Sequence, residues 1–305
     1  MASDSFFDSW QMKTPQKSDA KSPRLRKRAV RFFHGLHFEV HQARVSSQNF
    51  SRFDEDRILA RHVSELLPET NHGTAVDLGA GDGVRWSNTY ALFTNGWKGV
   101  GVESDTRRFT KLARAYRHYP QVFACRNLVT PHNVVALLQS YEIEKDFEVL
   151  SIDVDSNDYW ILQAALRVFR PRLIVAEINE NIPPPIRFVV KYDPDFQLRH
   201  HFYGCSIMSL ADLCRQHDYA VLELEYNNAF LAPREIVRLE PPDTETIYRN
   251  GYLDRPDRKQ KFALNFDLDE IHSMSPGDAV KFLTNFYARE RGKYFLSLEP
   301  LPNTQ

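Results

Sequence analysis

Cysteine is scarce: the 305-residue chain holds three, Cys125, Cys205 and Cys214. An odd number without ligand-like pairing excludes a disulfide framework and a cysteine zinc cluster, and fits a reducing compartment, so a cytoplasmic location is expected. Long hydrophobic runs are also missing. No stretch approaches the ~18 apolar residues that a spanning helix needs, so no membrane span is expected. The first thirty residues lack an apolar core of the secretory type and carry Asp4, Asp8 and Asp19, which speaks against a signal or transit peptide. Internal repeats are absent. What remains is 42% apolar and 26% charged, ordinary for a globular chain and enough to bury a core without staples.

The net charge of −1 conceals an asymmetry. Residues 1–31 carry eight Lys/Arg against three Asp, and the rest of the chain carries 31 against 37. Six basic residues and no acidic one lie within residues 21–31. Such a run is a solvated arm by composition; its alternative use is a patch for nucleic acid or anionic lipid. His34, His37 and His41 follow at helical spacing without a carboxylate or cysteine at ligand distance, which suits a helical lid better than a metal site.

Beyond the arm the texture is that of an α/β domain. The first helix is expected over residues 53–67, where Ile58, Leu59, Val63, Leu66 and Leu67 recur at helical spacing. Strands are expected at 74–78, 99–103, 122–125, 147–154 and 173–178, with helices at 85–94, 106–116, 131–141 and 158–169 between them. Asp105 and Thr130 mark helix starts, the latter with Pro131 at the first helical position. This alternation predicts a doubly wound, Rossmann-like, mostly parallel sheet with helices on both faces. Residues 181–201, rich in proline, read as a long excursion. A helix near 209–217 precedes two runs, 220–226 and 229–233, which flank Asn227-Asn228 as an antiparallel hairpin. The tail, 240–305, offers one convincing helix, 276–291, capped by Ser275 and ended by Gly292. The expected organisation is therefore a basic arm with a lid helix (1–52), a catalytic domain (53–239) and a C-terminal helical extension (240–305).

The first strand runs into Val76-Asp77-Leu78-Gly79-Ala80-Gly81-Asp82-Gly83. Glycines there let the backbone turn sharply and let a ligand lie against it. A dinucleotide fingerprint wants its third glycine at position 84, which is Val, so a pyrophosphate ligand is disfavoured. Asp77 suits a cationic ammonium, and Glu103, at the end of the second strand, can accept both ribose hydroxyls of a nucleoside. Together they describe a pocket for a nucleoside with an amino-acid head, S-adenosylmethionine (SAM).

The chain resembles the class I SAM-dependent methyltransferases, the FkbM-type enzymes and their relatives in particular. The likeness covers about residues 72–235 and is carried by Asp77 to Gly83, Gly96-Trp97-Lys98-Gly99-Val100-Gly101-Val102-Glu103, Val129-Thr130-Pro131, Ser151-Ile152-Asp153-Val154-Asp155-Ser156-Asn157-Asp158-Tyr159-Trp160, Glu177-Ile178-Asn179, Tyr192-Asp193-Pro194-Asp195-Phe196, Tyr203-Gly204-Cys205-Ser206 and Asn228-Ala229-Phe230. It implies a seven-stranded sheet with an antiparallel last strand, and SAM as cofactor. By it Gly79 and Gly81 approach the methionine portion, Asp77 its ammonium, Glu103 the ribose, and Asn127 the adenine. Relatives of this kind often have Gly where this chain has Ser156.

The fourth strand ends in Asp153-Val154-Asp155-Ser156-Asn157-Asp158. Clustered carboxylates raise one another's pKa, so Asp153 and Asp155 are the candidate catalytic pair, taking a proton from an attacking hydroxyl or amine. Asn157 or Asp158 can equally cap the next helix. Asp153, Asp155 and Asn179 can alternatively hold Mg²⁺ through hard oxygen ligands; the spacing leaves the metal open. Asn157, Tyr159, Asn179 and Tyr192, with Tyr203 and Trp160, are candidates for acceptor binding. The expected activity is O-methylation of a small-molecule acceptor. Another SAM-using transferase or cyclase on the same fold remains an alternative, as does a nucleic-acid-binding protein acting through the arm.

Overall fold

A computed structural model describes residues 49–155 and 157–300. The basic run, the three spaced histidines and Ser156 lie outside these residues. The described elements are α1 (Glu55–Leu66), β1 (Thr74–Leu78), α2 (Tyr90–Thr94), β2 (Lys98–Glu103), α3 (Thr106–Tyr116), β3 (Val122–Arg126), α4 (Val134–Ser140), β4 (Val149–Ile152), α5 (Asp158–Leu166), β5 (Leu173–Glu177), β6 (Arg187–Val190), α6 (Ile207–Gln216), β7 (Tyr219–Glu225), β8 (Asn228–Pro233), α7 (Thr244–Tyr248), α8 (Arg258–Lys261), α9 (Pro276–Phe286) and β9 (Tyr294–Ser297), with short 3₁₀ and π turns between several of them.

Seven strands form one sheet in the order β3-β2-β1-β4-β5-β8-β7. β1 to β5 are parallel, while β8 runs antiparallel to both β5 and β7, as the hairpin reading requires. β1 and β4 are buried along their whole length because helices cover both faces, which is why they are mostly apolar. The strand order reverses between β1 and β4. Ligands bind outside the carboxyl ends of strands at such a switch point.

Several local signals act as the sequence indicates. Asp105 accepts hydrogen bonds from Arg107 N and Arg108 N and starts α3. Ser275 accepts from Asp278 N at the start of α9, with Pro276 behind it. Elsewhere the boundaries move. Residues 82–89 are not helical; Trp86 adopts φ +62 and α2 begins only at Tyr90. Thr130 and Asn133 bond each other's backbone N–H reciprocally, so the chain makes a turn through Pro131 and α4 starts at Val134. α9 ends at Phe286 rather than residue 291, and Gly292, at φ +86, lies in the bend before β9.

The largest departure concerns the excursion and the tail. β6, within 181–201, pairs antiparallel with β9, at the end of the described chain, from Arg187↔Ser297 to Val190↔Tyr294. Each run is four residues long, too short to announce itself. Ile182, Ile186 and Phe188 share a second apolar cluster with Leu268, Leu283 and Tyr287, while Tyr248 and Tyr252 reach the main core under the sheet. Residues 240–300 thus pack on the sheet domain. Among the described residues no helix is long and apolar enough to cross a membrane.

Candidate functional site

The turn after β1 is tied to both neighbouring strands. Gly79 N and Ala80 N donate to Val102 O at the end of β2, and Asp153 N, just past β4, donates to Leu78 O. Gly79 has φ +92, and a Cβ on it would lie 1.7 Å from the carbonyl oxygen of Asp153. Only glycine lets the turn pass this close to the end of β4. Glu103 closes the other side: its Oε2 accepts from Gly81 N at 3.0 Å and its Oε1 from Asp105 N at 2.6 Å. A carboxylate offers about four lone-pair sites, so capacity is left for a ligand's hydroxyls.

Gly79 and Glu103 line a cleft at the switch point together with Arg108, Asn127, Leu128, Asp153, Asp155, Asn157, Pro194 and Phe196, whereas Gly81 is not part of its wall. It encloses about 140 Å³, and the 181–201 excursion supplies the wall at Pro194 and Phe196. Asp77 lies beneath the turn and not on the cleft wall. It is buried, accepts from Thr89 Oγ1 at 2.6 Å, and is pushed up to about 6 by burial, against the hydrogen bonds of Thr89, Ser151 and Ser87. A raised carboxyl favours the fold while protonated. Its contribution is complete below the ordinary value of 3.8 and fades as pH rises through about 6. Between pH 4 and pH 7 the protein is expected to lose about 3 kcal/mol relative to Asp77→Asn. Urea unfolding of both proteins across that window checks it; parallel pH dependences would refute it.

A second cleft, of about 610 Å³, opens beside the first and is lined by Arg52, Asp155, Glu177, Glu180, Arg199, His200, His201, Tyr203, Asn227, Lys261 and Asn265, among others. Asp155 belongs to both walls and marks the junction; its φ of +62 turns the loop after β4 back over the strand ends. Carboxylate oxygens of Asp153, Asp155 and Glu177 lie within 4.8 Å of one another there. Asp153 reaches solvent through the cleft yet is hemmed in by protein, and burial followed by the Asp158, Asp155 and Asp77 carboxylates pushes it up to about 7. Burial and then Asp153 drive Glu177 well above the usual carboxylate range. Asn227 Nδ2 donates to Glu177 Oε1 at 2.8 Å and orients it. Three hard oxygen donors in this arrangement can hold a cation such as Mg²⁺, and metal-free they can take up a proton.

The structure therefore brings Gly79, Glu103, Asn127, Asp153, Asp155 and Asn157 to one cleft and leaves other candidates elsewhere. Asn179 is buried: its Nδ2 donates to His201 O and Tyr203 O and its Oδ1 accepts from Asn181 N. Glu177, at the tip of β5, takes the place beside Asp153 and Asp155 expected of Asn179. Tyr159 is a core residue packed edge-on against Trp160, whose own Nε1 donates to Val190 O. Tyr192 packs edge-on against His132, and neither cleft wall includes it. Asn157 donates to Asp193 O, pinning the excursion, and Asp158 accepts from Val154 N to shape the β4 loop.

Glu177 was within reach of the sequence, because ligands gather at the carboxyl ends of parallel strands and it is the last residue of β5. Arg199, His200, Lys261 and Asn265 gave no such signal, since they come from short or irregular segments remote in the chain.

No protein-family model and no curated protein matches the chain. Among solved structures, a putative O-methyltransferase from Klebsiella pneumoniae is 14% identical, with 64% of this chain and 87% of that one covered and a TM-score of 0.37. An O-methyltransferase from Bacillus cereus, in complex with SAH, is 16% identical over 64% of this chain and 89% of its own, at a TM-score of 0.38. A putative RNA methyltransferase from Pyrococcus horikoshii is 11% identical over 63% and 96%, also at 0.38. Likenesses this distant say nothing of substrate.

Proposed function

We propose that the chain is a SAM-dependent methyltransferase of the FkbM-like kind, acting on an oxygen of a small-molecule acceptor. The observation that carries this reading is the glycine turn after β1, pressed against Asp153 O and roofed by Glu103, beside a larger polar cleft that meets it at Asp155. The narrower cleft offers the Gly79 backbone for the methionine portion, the Glu103 carboxylate for ribose hydroxyls, and Asn127 with Leu128 for the adenine. The wider cleft takes the acceptor.

Methyl transfer is an in-line displacement at a sulfonium, and orientation of the partners supplies up to about 7–11 kcal/mol. In this reading Asp153, with Glu177 beside it, receives the proton that the acceptor hydroxyl loses as its oxygen attacks the methyl carbon and the sulfur departs with the bonding pair. Mg²⁺ held by Asp153, Asp155 and Glu177 would instead bind the acceptor oxygen and lower its pKa. Activity that survives EDTA selects the proton-acceptor role.

Calorimetry with SAM tests the cofactor assignment. Glu103→Ala removes a charged acceptor and is expected to weaken binding about 10- to 100-fold, at the 1.5–3 kcal/mol of a charged hydrogen bond. Undiminished affinity would sink this assignment of Glu103. Product analysis separates methyl transfer, which leaves S-adenosylhomocysteine, from other SAM chemistry, which leaves methylthioadenosine.

A further inference from the structure

At the edge of the wider cleft, two consecutive imidazoles and one carboxylate converge from segments more than sixty residues apart. His201 Nε2 is 2.8 Å from Asp267 Oδ1, and His200 Nε2 is 3.3 Å from Asp267 Oδ2. The three ligand atoms all lie within 4.8 Å of one another. We infer that His200, His201 and Asp267 form a binding site for one transition-metal dication of the zinc class.

The donor set is chemically apt. Imidazole nitrogen suits zinc and its neighbours, and two neutral imidazoles with one carboxylate present a net charge of −1 to a dication. Atoms bound about 2.0–2.2 Å from a tetrahedral zinc lie about 3.4 Å apart, inside the 4.8 Å that contains the three ligand atoms. Protonation would serve the cluster poorly: the two rings lie with centroids 3.6 Å apart, so two imidazolium charges would repel at contact distance.

Support around the ligands points the same way. The His201 backbone, at φ +56, is fixed by two donors on its carbonyl, Asn179 Nδ2 at 2.9 Å and Tyr287 Oη at 2.6 Å. The adjacent cation Arg199 is paired with Glu290, which relieves its repulsion of a bound metal. Because His200 and His201 line the cleft, ligand positions not filled by protein open toward it.

Metal content tests this independently of the methyltransferase reading. Tag-free full-length protein is stripped with a chelator, dialysed against ZnCl₂ with excess Mg²⁺ and assayed by elemental analysis, then titrated with Co²⁺ and followed by its visible absorption. One zinc per chain is expected. His200→Ala and Asp267→Asn should each weaken binding by more than the about 10–100-fold that loss of an outer partner costs. The His200 side chain is 56% exposed, so its removal leaves the fold intact, as circular dichroism would confirm. Wild-type protein that takes up no zinc, or either variant that keeps wild-type affinity, overturns the inference. Zinc uptake without SAM binding would leave this site standing and sink the methyltransferase reading instead.

Discussion

Gly79→Ala is expected to abolish measurable SAM binding and to lower the unfolding midpoint by about 10 °C. The stability loss has two sources. A non-glycine residue at φ +92 costs about 1–3 kcal/mol in backbone strain. The new methyl group would lie 1.7 Å from Asp153 O, a backbone atom that cannot swing away, so β1 and β4 must part at the switch point at a further cost of about 1–3 kcal/mol. A combined loss near 4 kcal/mol corresponds to about 10 °C for a domain of this size. Gly81→Ala is the control. It too has positive φ, but its Cβ meets nothing within 4 Å, so the strain alone, about 1 kcal/mol, should appear. Scanning fluorimetry on the two variants decides the matter; a Gly79 variant as stable as the Gly81 variant would contradict the close approach of β1 and β4.

Asp153→Asn is expected to slow methyl transfer by about 10²–10⁴-fold, the usual contribution of a positioned proton acceptor. Asparagine keeps the shape and takes no proton. Wild-type activity in EDTA should rise with pH through about 7, where Asp153 ionises, and then level off. Below that pH the carboxyl is protonated and useless as a base; above it nothing further is gained. The variant should lose this limb of the profile. Transfer of labelled methyl from SAM into the small-molecule fraction of a cell extract provides the readout before any acceptor is known. A variant as active as wild type, or one retaining the same pH profile, would remove Asp153 from the mechanism.

Both predictions depend on residues that were legible from the chain. Gly79, Glu103, Asp153 and Asp155 sit at strand ends, and a strand end is announced locally, by β-branched residues giving way to glycine or acid. β1 and α3 begin and end at the residues expected, because Asp105 caps α3 and apolar runs bounded by polar turns define β1. Asp77 was legible as a site residue, but its depth was not. Sequence shows that a carboxylate precedes the turn; only packing puts Thr89 over it and removes it from the cleft wall.

Tyr159 and Asn179 were misplaced for a related reason. Both follow strand-end motifs, yet a residue's position in a motif does not say which way its side chain turns. Tyr159 lies on α5, whose core face swallows it, and the Asn179 amide is consumed by two carbonyls of a loop more than twenty residues later. Glu177, two residues earlier at the end of β5, faces the cleft instead.

By itself the sequence determined the alternating sheet, its antiparallel last hairpin, the glycine turn and the acid at the tip of β2, since each is written in neighbouring residues and in periodicities of two or 3.6. Tertiary structure alone decided the wider cleft, the pairing of β6 with β9 and the meeting of His200 and His201 with Asp267. Those contacts join segments sixty to more than a hundred residues apart, each too short or too irregular to carry a pattern. The free energy that holds them comes from apolar surface shared across the second cluster, which no local reading of the chain records.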